Sequence, residues 1–244
     1  QCESCSGCDR GAVPTHFTYL FSGEFHLAAV DLRIKGRGLD FVWARQYRSR
    51  GGPLSAMGQG WDYSYNLRVE LSGPNVLLHD GNTRSDLYLA QPDGTWARQE
   101  FFRVLGQQLD GSFRLTFADT GQWNFKPLDG SPAAGKISTI DDRNGNALSF
   151  AYDGVGRLSS VTDTLGRQVT LQYNPPGFIE SVTDFAGRQV RYAYYQDGDS
   201  GGSFGDLKSM TTPAVVGTPH NDFPAGKTTL YTYSQGSSEP QLDH

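Results

Sequence analysis

Residues 158–178 read LSSVTDTLGRQVTLQYNPPGF, and this stretch is one unit of the repeat that decides the fold. Its opening residue has equivalents 21 residues away on either side, at Ile137 and Ile179. The same spacing holds for four further sets: Asp142, Asp163 and Asp184; Gly145, Gly166 and Gly187; Tyr152, Tyr173 and Tyr194; Gly156, Gly177 and Gly198. A fixed period of about 20 to 50 residues is typical of stacked supersecondary units. The pattern therefore predicts a scaffold built from repeats.

Each unit is predicted to be a β-hairpin followed by a return turn. Val169, Leu171 and Tyr173 alternate with polar residues, which is the pattern of a strand with one apolar face. Gly166 lies in the turn before this strand and is free to take a positive φ. One hairpin is marginally stable in water, so successive hairpins should pair edge to edge. The expected fold class is all-β, with antiparallel hairpin repeats in a continuous, twisted and spiralling sheet.

A fourth copy of the repeat carries insertions near residues 199–205 and 213–223, which should project from opposite rims of the sheet. The turn glycines, expected at one rim, are Gly145, Gly166, Gly187 and Gly226. The equivalent tyrosines, expected to form a ladder along the strip, are Tyr152, Tyr173, Tyr194 and Tyr233. The last strand is predicted to comprise Thr228, Thr229, Leu230, Tyr231, Thr232 and Tyr233. It carries no charge and no proline, so we expect another strand to cover its edge.

Two groups of motifs resemble RHS proteins. Tyr152-Asp153 and the turns 153–157, 163–167 and 184–188, each of the form Asp-x-x-Gly-Arg, resemble the YD repeats of that family. Upstream, GRGLDF (36–41), RQYRSR (45–50) and GQGW (58–61) resemble the domain that precedes those repeats. The resemblance implies a sheet that spirals and, in longer relatives, closes into a hollow shell around a C-terminal toxin or effector. It also implies three parts: a cysteine-containing tail (1–21), an RHS-type β domain (22–130) and the repeats (131–244).

Composition and charge exclude some classes of function. The net charge of −5 does not suit a nucleic-acid partner, which requires a basic face. No apolar run approaches the roughly 20 residues of a membrane span. The locally basic stretch from Arg33 to Arg50 is expected to be a solvated or cross-strand-paired face. A chain that begins Gln1-Cys2 suits a processed, exported protein of bacterial type, at the cell surface or outside the cell.

Cys2, Cys5 and Cys8 are the only cysteines of the chain. Their spacing could suit a metal site that still needs a fourth ligand, but in an exported chain disulfides or crosslinks to a neighbouring subunit are favoured. Asp197 and Asp199 resemble the start of a calcium loop, although Lys208 stands where such a loop has its glutamate. No cofactor motif is present, so no cofactor is expected.

The string from Gly198 to Gly202, GDSGG, resembles the sequence around the nucleophile of chymotrypsin-like proteases. No histidine of this chain lies in a matching context, so a non-enzymatic role is expected. The first hypothesis is a segment of an RHS shell that encloses or displays an effector. The alternatives are a self-assembling extracellular filament subunit joined by strand edges, and a carbohydrate-binding surface module. The expected partners are accordingly further repeats of a longer chain or copies of itself, an enclosed effector, or glycans.

Overall fold

The computed structural model describes residues 15–234, in which 21 strands and no helix are found. No segment of this range forms a helix that could cross a membrane. A four-stranded antiparallel sheet, in the order β1-β2-β3-β6, comes first along the chain. Its strands are β1 (Thr15–Tyr19), β2 (Glu24–Ile34), β3 (Phe41–Arg48) and β6 (Trp61–Tyr63), and a small hairpin between the last two comprises β4 (Leu54–Ser55) and β5 (Gly58–Gln59). The prediction of an all-β fold is confirmed.

A 15-stranded antiparallel sheet follows, in which every strand pairs with its neighbours in sequence. Its first half consists of β7 (Leu67–Ser72), β8 (Asn75–Asp80), β9 (Ser85–Ala90), β10 (Trp96–Ala97), β11 (Arg103–Gln107), β12 (Phe113–Phe117) and β13 (Gln122–Phe125). Its second half consists of β14 (Ile137–Asp141), β15 (Ala147–Tyr152), β16 (Leu158–Thr162), β17 (Gln168–Tyr173), β18 (Ile179–Thr183), β19 (Gln189–Tyr194), β20 (Leu207–Thr211) and β21 (Thr228–Leu230). The predicted continuous sheet is confirmed, and it crosses residue 130 without a break.

The long sheet curls until its first strand meets its own middle. Arg68 on β7 forms an isolated antiparallel bridge with Lys136, and the Val69 N–H donates to the Gly135 carbonyl at 2.8 Å. The sheet nevertheless stays open, since β7 and β21 are its two ends. The β7 edge is thus tied to the loop before β14, and the strip continues beyond this contact through β15 to β21.

The four-stranded sheet packs on the apolar face of the repeat strands. Phe41 and Trp43 are buried on the alternating face of β3, while Phe150 and Tyr192 face them from β15 and β19. Tyr65, which follows β6, contacts Phe150 with the ring centroids 5.2 Å apart. The N-terminal sheet therefore covers a face of the repeats.

The three regular repeats share their strand pairing. Each pair that closes a copy has a register shift before its tyrosine, so that Tyr152 pairs with Leu158, Tyr173 with Ile179, and Tyr194 with Leu207. The irregularity explains a spacing in the sequence: the two apolar residues in the first strand of each copy, such as Leu158 and Val161, are three positions apart. An extra residue is accommodated there, as in a β-bulge.

Candidate functional site

The repeat turn is held by an aspartate. In the 163–167 turn, Asp163 Oδ1 accepts from the backbone N–H groups of Leu165 and Arg167 at 2.9 and 3.0 Å. Its Oδ2 accepts from Arg167 Nε at 2.8 Å. The 153–157 and 184–188 turns repeat this set of hydrogen bonds. The Asp-x-x-Gly-Arg motif is therefore a turn-forming device in which every polar atom of the aspartate has a structural partner.

The electrostatics of these turns follow from the same contacts. Burial favours the neutral form of Asp163, but hydrogen bonds from Arg167 and from backbone N–H groups outweigh it, so the pKa of this carboxyl is lowered. Asp153 has a lowered pKa by the same balance, with burial opposed by the bonds from Arg157. Both side chains therefore act as charged acceptors at neutral pH.

The turn glycines have the left-handed backbone conformation that the turns require. The φ angles of Gly145, Gly166, Gly187 and Gly226 lie between 76 and 79°. A Cβ added at Gly166 would meet nothing within 4 Å. Glycine is thus needed there for its backbone freedom and not for space. All four glycines lie in turns that follow β14, β16, β18 and β20, which places them at one rim of the antiparallel sheet.

Each of the four equivalent tyrosines makes a hydrogen bond of the same kind. Within residues 15–234 their rings do not stack on one another. Each hydroxyl donates to the carbonyl of the residue that opens its repeat, at 2.7 to 2.9 Å: Tyr152 to Ile137, Tyr173 to Leu158, Tyr194 to Ile179 and Tyr233 to Leu207. Burial raises the pKa of the four phenols, so they remain donors. The expected aromatic ladder is corrected accordingly, because each ring closes its own repeat.

A buried ion pair lies between the two sheets. Arg45 on β3 donates from Nε to Asp31 Oδ2 on β2 at 2.5 Å, and the two side chains are 0% and 1% exposed. Tyr192 on β19 donates to the same carboxylate oxygen at 2.6 Å and accepts from Trp43 Nε1 at 2.9 Å. Burial opposes the charge of Arg45, but the charge of Asp31 outweighs it and raises the pKa of the guanidinium. The guanidinium therefore stays charged, and the bonds of Asp31 to Arg45 and Tyr192 connect the N-terminal sheet to the repeats.

The end of the fourth copy completes this interface. Arg45 Nη2 donates to the Tyr231 hydroxyl at 2.7 Å, and Trp61 Nε1 donates to the Tyr233 hydroxyl at 2.9 Å. The Arg45 guanidinium lies 4.8 Å from the centre of the Trp61 ring. Past Leu230, the Tyr231 N–H still donates to the Lys208 carbonyl of β20 at 3.0 Å, but the Tyr233 N–H donates to the Gly201 carbonyl at 2.8 Å, so the pairing with β20 stops. Strand β21 consequently ends at Leu230, three residues earlier than predicted.

The basic stretch is not one uniform face. Arg48 pairs across strands with Glu24 at 2.7 Å, and Arg33 pairs with Asp40 at 3.1 Å, as a cross-strand-paired face requires. Arg45 lies on the opposite face and is fully buried. Arg45 is paired across strands with Asp31, as one of the two expected alternatives requires, but it is not solvated, because it shares its phase on β3 with Trp43 and Tyr47.

The remaining candidate residues are not assembled into a chemical site. Asp199 accepts from Lys208 Nζ at 2.9 Å, which occupies the carboxylate that would bind calcium. Asp197 lies in the same loop, and within residues 15–234 no cluster of three or more His, Cys, Asp or Glu could hold a metal. No histidine within residues 15–234 is hydrogen-bonded to Ser200. The ring of His26 is hydrogen-bonded to Gln46, and the ring of His79 to Ser85. Cys2, Cys5 and Cys8 lie outside the described residues.

Fold, turns and interface together define a β-hairpin repeat protein with an N-terminal β domain docked on the repeats. Residues 132–168 and 152–189 match the family model RHS Repeat, and residues 19–88 match a domain of unknown function, DUF6531. The chain belongs to the RHS/YD-repeat proteins that carry this associated domain on the N-terminal side. A comparison with curated proteins found no match. RHS repeats in general support a β-rich scaffold role.

Proposed function

We propose that this chain is a non-enzymatic scaffold, the docked beginning of an RHS β-shell that further repeats extend to enclose or display an effector. One observation carries the proposal. Of the two ends of the 15-stranded sheet, the β7 end is bonded to residues 135 and 136, whereas β21 pairs only with β20 among residues 15–234. The strip can therefore grow in one direction.

The open edge is suited to a further strand. The residues on either side of β21 bond toward β20. The Tyr231 N–H donates to the Lys208 carbonyl, and the Lys227 carbonyl accepts from the Thr212 N–H. Antiparallel pairing alternates, so the N–H groups of Thr228 and Leu230 point to the open side. All three residues of β21 are exposed and uncharged. Such an edge is a template for another strand, since proteins normally protect an isolated one with charge, proline or a cover.

The docked N-terminal sheet limits what this segment can contain. The face of the repeats that would line a shell is packed against Phe41, Trp43 and Tyr65, and the whole interface belongs to one buried core. This part of the strip therefore leaves no lumen for cargo. An effector would be held by the repeats that follow β21, and the N-terminal sheet would close the starting end.

Amide hydrogen exchange tests the proposal. The amides of Thr228 and Leu230 should exchange fast in the chain of residues 1–244 and slowly in the natural protein purified from its source. The Val69 amide, which is bonded to Gly135, is the internal control and should be slow in both. Fast exchange of the Thr228 and Leu230 amides in the natural protein would show that no strand is added to β21 and would contradict the proposal.

Hydrogen exchange also distinguishes the filament hypothesis from the shell hypothesis. If copies of this chain add to one another at β21, protection of Thr228 and Leu230 should rise with the concentration of the 1–244 chain and be accompanied by oligomers in light scattering. Leu230→Lys should abolish both effects, because a charge on an edge strand opposes pairing. Protection that depends on the longer chain alone supports the shell.

The absence of catalysis is the second part of the proposal. Within residues 15–234, Ser200 has no histidine partner, and a serine nucleophile requires an adjacent base. A fluorophosphonate probe should leave the protein unlabelled at Ser200, and Ser200→Ala should not change its stability. Labelling that disappears in Ser200→Ala would overturn this part. Export to the cell surface or medium belongs to the same proposal, and fractionation of the source cells tests it.

A further inference from the structure

The tip of the β1–β2 hairpin exposes a cluster of apolar side chains. Leu20 and Phe21 form its apex and are 99% and 105% exposed. Phe17 and Tyr19, which precede them on β1, are 44% and 47% exposed, and their rings meet edge-on with the centroids 4.9 Å apart. Single apolar residues on a surface are normal, but an apolar cluster marks a site of interaction. The hairpin tip is therefore a candidate contact surface.

The turn that carries the apex is held by hydrogen bonds. The Gly23 N–H donates to the Tyr19 carbonyl at 2.7 Å and closes the turn, with Gly23 at a φ of 65°. The Ser22 carbonyl accepts from the Arg50 guanidinium, and the Ser22 hydroxyl accepts from the Glu24 N–H at 3.2 Å. These bonds fix the turn to the strand ends and to the segment after β3. The exposure of the apex is thus built into the fold.

The charges next to the apex are positive. Residues 15–23 contain no acidic residue, and Glu24, which follows them, is paired with Arg48 at 2.7 Å. Arg50 is exposed, and within residues 15–234 it has no carboxylate partner. Its guanidinium lies beside the turn, since a Cβ added at Gly23 would be 3.6 Å from Arg50 Nη2. One uncompensated cation therefore borders the apolar cluster, and a cation in this position attracts anionic headgroups.

The size of the cluster favours a lipid surface over a protein partner. At about 200 Å² per aromatic side chain, the exposed fractions of Phe17, Tyr19 and Phe21 correspond to roughly 400 Å². A specific protein interface buries about 800 Å² on each partner. A bilayer sets no such minimum, because each apolar side chain that leaves water for it contributes by itself. Tyrosine is also enriched where lipid meets water, which suits Tyr19 below the apex.

We propose that the tip of the β1–β2 hairpin inserts into the surface of a lipid bilayer. Leu20 and Phe21 enter the acyl region, Tyr19 lies at the level of the headgroups, and Arg50 faces their phosphates. The chain has a net charge of −5, so insertion of the apolar apex provides most of the affinity and Arg50 adds a preference for anionic lipid. The proposal is independent of the shell function, because the hairpin belongs to the N-terminal sheet and the strip grows at β21.

Co-sedimentation of the 1–244 chain with vesicles tests the proposal. The vesicles consist of phosphatidylcholine alone or of phosphatidylcholine mixed with phosphatidylglycerol, and the chain should bind both, the mixed vesicles more tightly. Phe21→Ser should weaken binding to both by about tenfold or more, which is the value of burying one large apolar side chain. Arg50→Gln should weaken binding to the mixed vesicles alone, by about fivefold, because one arginine near an anionic surface contributes about that factor.

Two matched controls decide whether the hairpin tip is responsible. Phe102→Ser and Leu109→Ser each remove an apolar side chain that is almost fully exposed in another turn, and both should bind vesicles as the unaltered chain does. In Phe21→Trp, the added fluorescence should be quenched by lipid brominated on its acyl chains. The proposal is overturned if the chain binds neither kind of vesicle, if Phe21→Ser binds unchanged, or if the control variants weaken binding as much. It is also overturned if the lipid-free chain forms oligomers that Phe21→Ser lacks, since the apex would then contact a second copy.

Discussion

Removal of the buried guanidinium between the two sheets should be the most damaging single change at the interface. Arg45→Met keeps an unbranched side chain but leaves the Asp31 carboxylate, 1% exposed, without its counter-ion. Breaking a buried pair on one side typically costs about 3–5 kcal/mol. The variant also removes the donor to the Tyr231 hydroxyl, a bond worth about 1 kcal/mol. We therefore expect a loss of roughly 4–6 kcal/mol in the free energy of unfolding.

Urea unfolding followed by tryptophan fluorescence measures this loss, since Trp43 and Trp61 lie at the interface. Arg68→Met is the matched control, because Arg68 pairs with Glu70 at the surface, where an ion pair contributes about 0–1 kcal/mol. In the double variant Asp31→Leu/Arg45→Met no charge remains unpaired, so it should lose much less than the sum of the two single variants. A loss below about 1 kcal/mol for Arg45→Met, or additive losses in the double variant, would refute the reasoning.

Three further outcomes are expected. Gly166→Val should lower the unfolding free energy by about 1–3 kcal/mol because φ is 76° there, whereas Gly154→Val, in a turn of ordinary φ, should lower it less; equal melting temperatures would contradict this. Asp163 has a lowered pKa, so its stabilisation is present above the unfolded value of about 3.9 and is lost as the pH falls through the lower folded value. Asp163→Asn should therefore make the decline in stability below about pH 4 shallower, and an unaltered slope in acid titration would count against the turn bonds. Tyr173→Phe leaves the Leu158 carbonyl without its donor and should cost about 1–3 kcal/mol in urea melts, whereas a neutral effect would show that this bond is dispensable.

The repeats could be predicted because they are local and periodic. The turn bonds of Asp163 and the positive φ of Gly166 involve residues at most four apart, and each copy restates the same solution. Pairing between neighbouring strands follows from short turns. The bonds of the tyrosine hydroxyls also repeat, but their partner atoms are backbone carbonyls, which leave no trace in the residue types. The sequence therefore shows that the tyrosines are equivalent, but it does not show that their hydroxyls donate to backbone carbonyls.

The docking of the two sheets could not be predicted from period or spacing. The Trp43–Tyr192 bond joins residues 149 positions apart, and the Trp61–Tyr233 bond joins residues 172 positions apart. No repeat relates the partners, since the N-terminal sheet occurs once. The same contacts explain the overestimate of the last strand. Tyr231 looks like the next residue of an alternating strand, and its N–H still bonds to Lys208. Its hydroxyl is held by Arg45, however, and the regular pairing with β20 ends at Leu230.

Arg45 shows how the missed interface could have been detected. Charged residues in a basic stretch are usually solvated. The alternation of Phe41, Trp43, Arg45 and Tyr47 along one strand nevertheless indicates that Arg45 lies on the buried face. A guanidinium in phase with three aromatic residues has to be buried with them, so it needs a carboxylate on the paired strand. β2 contains two acidic residues: Glu24, which pairs with Arg48, and Asp31, which lies beside the register shift between Val30 and Leu32. A shift of this kind turns a side chain toward the other face, which places the carboxylate next to the guanidinium. In related chains, an arginine in this phase should therefore accompany an acidic residue at a bulge in the preceding strand.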